Sequence, residues 1–359
     1  MTEALHTRDS LAMAAATASL AEQVEAALEA GSGLDGLPEH DDVENVVVLG
    51  MGGSGIAGDL VVAVASPFMA VPVTVVKSYA APAFVGEGTL VFAVSFSGDT
   101  EETVEAAGEA ADEGARVVVV SSGGELGRLA EEWGAPHVQV PSAIPQPRAA
   151  IGAMAIPMLV VLEEVGLFPG ARQWVVQAAA QLRRRREELF DFHAANDGIP
   201  RLREDSVAAE VARRIGRTMP LVHGAGELGA TAAKRWKAQI NENAKTPAFC
   251  ASYPELCHNE IAGWGQLGDV TRQVMTLVNL RYDGEHPQVV RRFALVREIM
   301  SEVVGDVVDV RAAGEGDLAQ LLDLFFLGDV VSLHLAASAG VDPGPVPILQ
   351  DLKARLKEA

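Results

Sequence analysis

The feature that most restricts the fold is a set of short, nearly uninterrupted apolar runs separated by alanine-rich stretches. "NVVVLG" (45–50) is followed by further runs at 73–77, 90–94, 116–121 and 137–140. They show no strict polar–apolar alternation. Each therefore reads as a strand covered on both faces, the habit of a parallel sheet flanked by helices. Segments at about 100–113 and 124–132 have helical composition and complete β-α-β units. "IPQPRAAIGAMAIPMLVVLEEVGL" closes the unit with a proline-rich turn and a buried helix.

The theme then repeats. "MPLVHGAG" (219–226) is strand then glycine, and "ELGATAAKRWKAQINENAK" (227–245) is a helix stopped at Thr246-Pro247. Strands follow at 274–280 and 306–311, with helices at 286–302 and 316–339, and "GVDPGP" precedes a last helix. The expected class is α/β: two doubly wound, mostly parallel sheets with a C-terminal helix. A length of 359 residues suits two domains. The expected division is 1–170 for an N-terminal helix plus the first domain, 171–204 for a connecting helix, 205–340 for the second domain and 341–359 for the C-terminal helix. Within the connecting helix, "RRRREE" reads as a solvated face.

Charge narrows the partners. The formal net charge of −21 repels nucleic acid and acidic membranes, so neither is an expected partner. It also repels phosphorylated small molecules, so an anion site has to be local. Cys250 and Cys257 make no disulfide framework and no metal site by themselves. The N-terminal stretch reads as an Ala-rich helix and not as a signal peptide. The longest apolar run, roughly 149–162, is interrupted by Pro157 and too short to span a bilayer. The expectation is a soluble cytoplasmic protein.

"VFAVSFSGDTEETVEAA" (91–107) ends a buried strand in Ser95, Ser97, Gly98 and Thr100 before a helix opens. One reading is a cap, with Ser97 or Asp99 as N-cap and Glu101 or Glu102 completing a capping box. The other is an anion cradle. Ligands sit beyond the carboxyl ends of strands in open α/β sheets, and a helix N-terminus with small hydroxyls suits a phosphate. A single cap does not require three hydroxyls, which favours the cradle. "GMGGSG" (50–55) resembles a dinucleotide-binding turn, but no ribose-binding acid follows in "VTVVK". Its backbone N–H groups and the hydroxyl of Ser54 can instead be brought near the same anion.

Together these segments resemble a sugar-isomerase (SIS) domain. "LGMGGSGIAGDL", "VSFSGDTEET", "PQPRAA", "NENAKTP", "YPELCHNEIAGW" and "GVDPGPVPILQDLK" fall in the order found in the bifunctional phosphoglucose/phosphomannose isomerases, from about residue 40 to 355. The resemblance implies two SIS domains, a homodimer, no metal or organic cofactor, and interconversion of glucose 6-phosphate or mannose 6-phosphate with fructose 6-phosphate. It implies that Ser54, Ser95, Ser97 and Thr100 hold the phosphate, with Gly53 beside them. Glu242 is then the base, His258 opens the ring, and Arg148 and Lys353 complete the site.

The residue types suit that chemistry. Aldose–ketose isomerisation passes a proton between C1 and C2 through a cis-enediolate. A carboxylate can carry the proton, a fixed cation stabilises the enediolate, and a histidine can move the ring-oxygen proton. Glu255 and Glu260 flank His258 and compete for the base role, while His223 and His334 read as satisfied core histidines. Two departures from the family pattern stand out. Asp99 replaces the usual Asn, adding negative charge near the cradle, and Gly344 replaces a usual Thr, putting epimer tolerance in question. They motivate an alternative: a sugar-phosphate-binding SIS regulatory protein without turnover.

Overall fold

The computed structural model describes residues 8–193 and 200–358. Two helices, α1 (Met13–Ala18) and α2 (Leu20–Ala30), meet at Ser19 and form the N-terminal helical segment. The first sheet comprises β1 (Asn45–Leu49), β2 (Val73–Val76), β3 (Thr89–Ser95), β4 (Arg116–Ser121) and β5 (His137–Gln139). It is fully parallel, in the order β2-β1-β3-β4-β5, with Leu49 in register with Val76 on one side and Ala93 on the other. This order reverses direction between β1 and β3, which makes their carboxyl ends the topological switch point. Helices α3 (Gly52–Val64), α4 (Glu101–Asp112), α5 (Gly124–Trp133) and α6 (Ile151–Glu164) complete the unit.

The second sheet contains β8 (Met219–Ala225), β9 (Phe249–Tyr253), β10 (Met275–Arg281) and β11 (Asp306–Arg311), all parallel, in the order β11-β10-β8-β9. Its helices are α8 (Val207–Ile215), α9 (Gly226–Ala244), α10 (Gly268–Val274), α11 (Pro287–Met300) and α12 (Asp317–Ala339). The chain ends in α13 (Pro347–Glu358). Sequence reading did not single out β9: it is an edge strand whose residues are mostly half-exposed, so "FCASY" lacks the apolar density of a central strand. The amphipathic α8, capped by the Ser206 hydroxyl, was likewise not singled out.

Side-chain alternation along the strands divides the core. Val46, Val48, Phe92 and Val94 of the first sheet and Val222, Val278 and Val308 of the second face one shared cluster. Helices α2, α3, α6, α9 and α12 fill that cluster. Val47, Leu49, Val91 and Ala93 face outward to α4 and α5, and Leu221, Leu277 and Val307 face outward to α11. The two sheets thus cover one helical layer from opposite sides. By length and composition α12 could cross a membrane, but 94% of its most apolar window is buried, so it is the central core helix.

The connecting helix differs from the expectation. α7 (Ala171–Leu189) ends before residue 194, and Phe190–Asp191 (β6) pairs antiparallel with Arg201–Leu202 (β7). Residues 194–199 lie outside the described residues. The helix is not a solvated spacer either, since Val175, Ala178, Ala179 and Leu182 are buried. Its arginines form a clamp. Arg185 reaches buried Asp323 with two bonds of 2.8 Å, Arg186 pairs with Glu22 at 2.6 Å, and Arg183 pairs with Glu25.

The internal repetition is visible in backbone geometry. Glycines at 50, 52 and 55 recur at 224, 226 and 229, where β1 and β8 give way to helices. Gly52 (φ +53°) and Gly226 (φ +54°) take the left-handed conformation that L side chains avoid. A Cβ on Gly55 would lie 2.7 Å from the Gly50 carbonyl oxygen, and one on Gly224 would lie 1.9 Å from that of Gly229. Each helix therefore starts close against its strand, with its N-terminus at the sheet's carboxyl edge. His334 is buried in α12 as expected, but its Nε2 has no partner, and burial lowers its pKa to about 4, so it sits neutral in the core.

Candidate active site

Three segments converge at the switch point of the first sheet. The Phe96 N–H, just past β3, donates to the Ser54 hydroxyl at 3.3 Å, tying the β3–α4 turn to the first turn of α3. Ser54 is 5% exposed and also meets the Met154 sulfur at 3.4 Å. A Cβ on Gly53 would stand 3.2 Å from the Pro147 carbonyl oxygen and 3.4 Å from the Arg148 nitrogen. A side chain there would push the α3 N-terminus and the turn that carries Arg148 apart by a few tenths of an ångström.

The "SFSGDT" turn is tightly organised. The buried Ser95 hydroxyl bonds Thr100 Oγ1 at 2.9 Å and accepts the Gly98 N–H at 3.1 Å. Exposed Ser97 accepts the Asp99 N–H at 3.2 Å. Gly98 has φ +79°, and a Cβ there would lie 1.8 Å from the Gly123 carbonyl oxygen. Thr100 is the N-cap of α4, with no side-chain cap bond. The capping reading is thus not realised: neither Ser97 nor Asp99 covers the first turn of α4, and its N–H groups point toward the turn. Ser97 and Thr100 are the accessible hydroxyls, and Ser95 and Ser54 lie beneath them.

Asp99 also has a local structural task. Its Oδ1 accepts the Glu125 N–H at 2.9 Å, in the first turn of α5, whose own N-cap, Gly123, has no side chain. The carboxylate is therefore set against the positive end of α5. Gly344 also has a local cause. A Cβ there would lie 2.8 Å from the Leu11 side chain, so a threonine would start toward the N-terminal segment.

Arg148 sits in a short 3₁₀ turn, Pro147–Ala149, with only 4% exposure. Its Nε donates to Asn243 Oδ1 at 2.7 Å, and Nη2 donates to the Pro343 and Gly344 carbonyls, both at 2.6 Å. Nη1 faces Glu242 Oε2 at 3.4 Å and Gln146 Oε1 at 3.3 Å. Burial pulls the guanidinium below its usual pKa, while Glu242 and Asp329 oppose that shift. Glu242 lies in the last turn of α9, and its side chain is 30% exposed. Just beyond, Lys245 takes φ +53° and donates to the carbonyls of Glu242 (2.8 Å) and Asp342 (2.7 Å), fastening the 342–344 loop to the helix end. Burial, and then the nearby Arg148, lower the Lys245 pKa.

The structure therefore brings Gly53, Ser54, Ser95, Ser97, Thr100, Arg148 and Glu242 into one connected region between the sheets. It does not bring His258 or Lys353 into contact with them. His258 is exposed at the end of the 3₁₀ turn Glu255–His258, and Lys353 is exposed on α13. Among the described residues neither makes a hydrogen bond or ion pair. Of the competing carboxylates, Glu260 bonds buried His223 at 3.1 Å and Glu255 accepts from Asn259 at 2.8 Å. Sequence reading missed Arg235, Gln239 and Asn243, which surround Arg148. Their spacing of four along a buried helix was the signal available, since polar residues on such a stripe need partners.

Residues 204–356 match the family described as the bacterial phospho-glucose isomerase C-terminal SIS domain. The chain is 33% identical over 340 residues to a bifunctional phosphoglucose/phosphomannose isomerase of Caldicellulosiruptor bescii, covering 95% of this chain and 97% of the relative. It is 32% identical over 322 residues to a protein of the same name from Thermoplasma acidophilum, covering 90% and 93%. Among solved structures, a hypothetical protein from Thermus thermophilus superposes with a TM-score of 0.70 at 16% identity, over 99% of this chain and 93% of the other, a likeness of fold.

Proposed function

The chain belongs to the family of bifunctional phosphoglucose/phosphomannose isomerases, and from that premise we propose how its residues interconvert fructose 6-phosphate with glucose 6-phosphate and mannose 6-phosphate. The enzyme is an aldose–ketose isomerase. The observation that carries the residue assignment is the Arg148–Glu242 approach of 3.4 Å, at a turn that also touches the glycine start of α3.

The phosphate is held by Ser97, Thr100 and the open first turn of α4, with Ser54, Ser95 and the Gly53 backbone forming the floor. Among the described residues the second sheet has no turn like it: Gly226-Glu227-Leu228 after β8, Tyr282-Asp283-Gly284 after β10 and Ala312-Ala313-Gly314 after β11 carry no serine or threonine, and Glu285 already takes Arg281 at 2.6 Å. An anionic ligand is thus directed to the first sheet. With the phosphate fixed, Glu242 removes the proton from C2 of the aldose and returns it to C1. The negative charge of the enediolate develops beside Arg148. Glucose and mannose 6-phosphate differ only at C2 and share that enediolate, so one base serves both. These steps use side chains alone.

We assign residues 1–170 to the N-terminal helical segment plus the first SIS domain, 205–340 to the second SIS domain, 171–204 to the connection that α7 opens and 341–359 to the C-terminal helix. A homodimer completes the site. Ile348 and Leu352 of α13 are 71% and 54% exposed, an apolar stripe beside Lys353 that a second copy would cover, while exposed His258 is free to reach across. His258 opens the sugar ring and Lys353 assists. Unpaired cysteines and a charged substrate that does not cross membranes support a cytoplasmic location.

Purified protein given fructose 6-phosphate is expected to form both aldose phosphates, with the same rates when a chelator is present. Absence of either aldose from pH 6 to 9 would overturn the assignment, and loss with chelator would point to a metal enzyme. Mixing inactive Glu242→Gln and His258→Ala proteins tests the dimer. If the site is shared, hybrid dimers regain activity; a mixture as inactive as its components places His258 in its own subunit's site or outside the mechanism.

A further inference from the structure

A buried polar assembly holds the main chain of Arg148. Asp329 of α12 is 4% exposed and accepts Arg235 Nε at 3.0 Å, Arg235 Nη2 at 2.6 Å and Gln239 Nε2 at 2.6 Å. Arg235 and Gln239, one turn apart on α9, also donate to the Arg148 carbonyl oxygen, at 2.9 Å and 3.3 Å. One turn further, Asn243 accepts Arg148 Nε, and its Nδ2 donates to Ser332 Oγ at 2.9 Å, which sets the orientation of the amide. Ser332 in turn donates to the Asp329 carbonyl at 2.6 Å. The main chain and the side chain of Arg148 are thus both referred to the same turn of α12.

Gln239 stands out within this assembly. Its Oε1 is buried without a partner. Such an acceptor costs on the order of 1–3 kcal/mol. Arg235 alone already donates to both Asp329 and the Arg148 carbonyl, so neither group would lose its last partner if the amide were absent. Its bond to the Asp329 carboxylate gains about as much as the unpaired oxygen costs, so the amide contributes little net stability, and its place here has to be explained otherwise.

We propose that Gln239 is a positioning residue for the isomerisation: with Arg235 and Asp329 it clamps the Arg148 main chain so that the guanidinium stays fixed beside Glu242. This rests on the reading of Arg148 as the group that stabilises the enediolate. Two donors on one carbonyl restrain the short 3₁₀ turn against rotation, where a single donor acts as a pivot. Fixed placement of a charge where the transition state develops its own is the requirement for such stabilisation.

Gln239→Met keeps the length of the side chain and removes its polar atoms. It is expected to lower kcat on fructose 6-phosphate roughly tenfold, since small misplacements near the chemistry have effects of this size or more. KM should change less than about twofold, because the phosphate cradle lies on other segments, and the melting temperature should change little, since the lost bond to Asp329 and the relieved oxygen offset. In an Arg148→Lys background, which lacks the fork being positioned, the same change should leave kcat unaltered. An unchanged kcat in Gln239→Met, an equal loss in both backgrounds, or a loss that follows a lowered melting temperature would each overturn the proposal. An Arg148→Lys enzyme with full kcat would instead remove the reading of Arg148 itself.

Discussion

Glu242→Gln is expected to lose turnover while keeping substrate. The amide cannot take a proton from carbon, and loss of a positioned general base lowers kcat by roughly 10²- to 10⁴-fold. KM should stay within a few-fold, because the proposed phosphate cradle is the β3–α4 turn and not α9. The fold should survive: Glu242 is 30% exposed, and a glutamine oxygen can still accept from Arg148 Nη1. Rates with fructose 6-phosphate, together with deuterium uptake at C1 and C2 in heavy water, measure this directly. Wild-type turnover with undiminished exchange would show that another carboxylate carries the proton, and Glu255 and Glu260 would be the next to replace.

Gly98→Ala is expected to damage both stability and binding. The left-handed φ of +79° costs an alanine about 1–2 kcal/mol. Its Cβ would also lie 1.8 Å from a backbone oxygen of Gly123, which cannot rotate away as a side chain can. Gly124 is equally confined, since a Cβ there would lie 2.4 Å from the Ser97 carbonyl oxygen, so the two turns can separate only together. The total should exceed about 3 kcal/mol. Any molecules that fold will have Ser97 and Thr100 displaced, raising KM for the sugar phosphate by about tenfold or more, the equivalent of losing one or two charge-assisted hydrogen bonds. A melting curve and a KM both equal to wild type would remove the interlocked turn from the account of phosphate binding.

Much of the frame was legible because strands and helices are written in local periodicity. The central strands of both sheets and the long helices announce themselves by apolar density, and the glycines at 50–55 and 224–229 mark where strand gives way to helix. β9 was not legible, because an edge strand is half-exposed and its composition is ordinary. The arginines of α7 were read as solvated because their partners, Glu22, Glu25 and Asp323, lie more than a hundred residues away. Asp99 reads, from its neighbours, as a cap of the helix beside it or as a charge near the cradle. Its acceptor role depends on α5, which starts 25 positions later and has a glycine where a capping side chain would be.

The α/β class, the repetition of the glycine turn and the hydroxyl-rich end of β3 are written in the chain, because they depend on neighbours within a few residues. That Ser95 is buried beneath the turn while Ser97 is exposed follows from three-dimensional packing, since burial is a property of the whole packed sheet. That packing also decided which edge of Arg148 faces Glu242. Five of the groups that hold that guanidinium or its carbonyl (Arg235, Gln239, Asn243, Pro343 and Gly344) come from α9 and the loop before α13. Hydrogen bonds between segments so far apart leave no period in the chain: their geometry exists only once both sheets have closed on the helices between them.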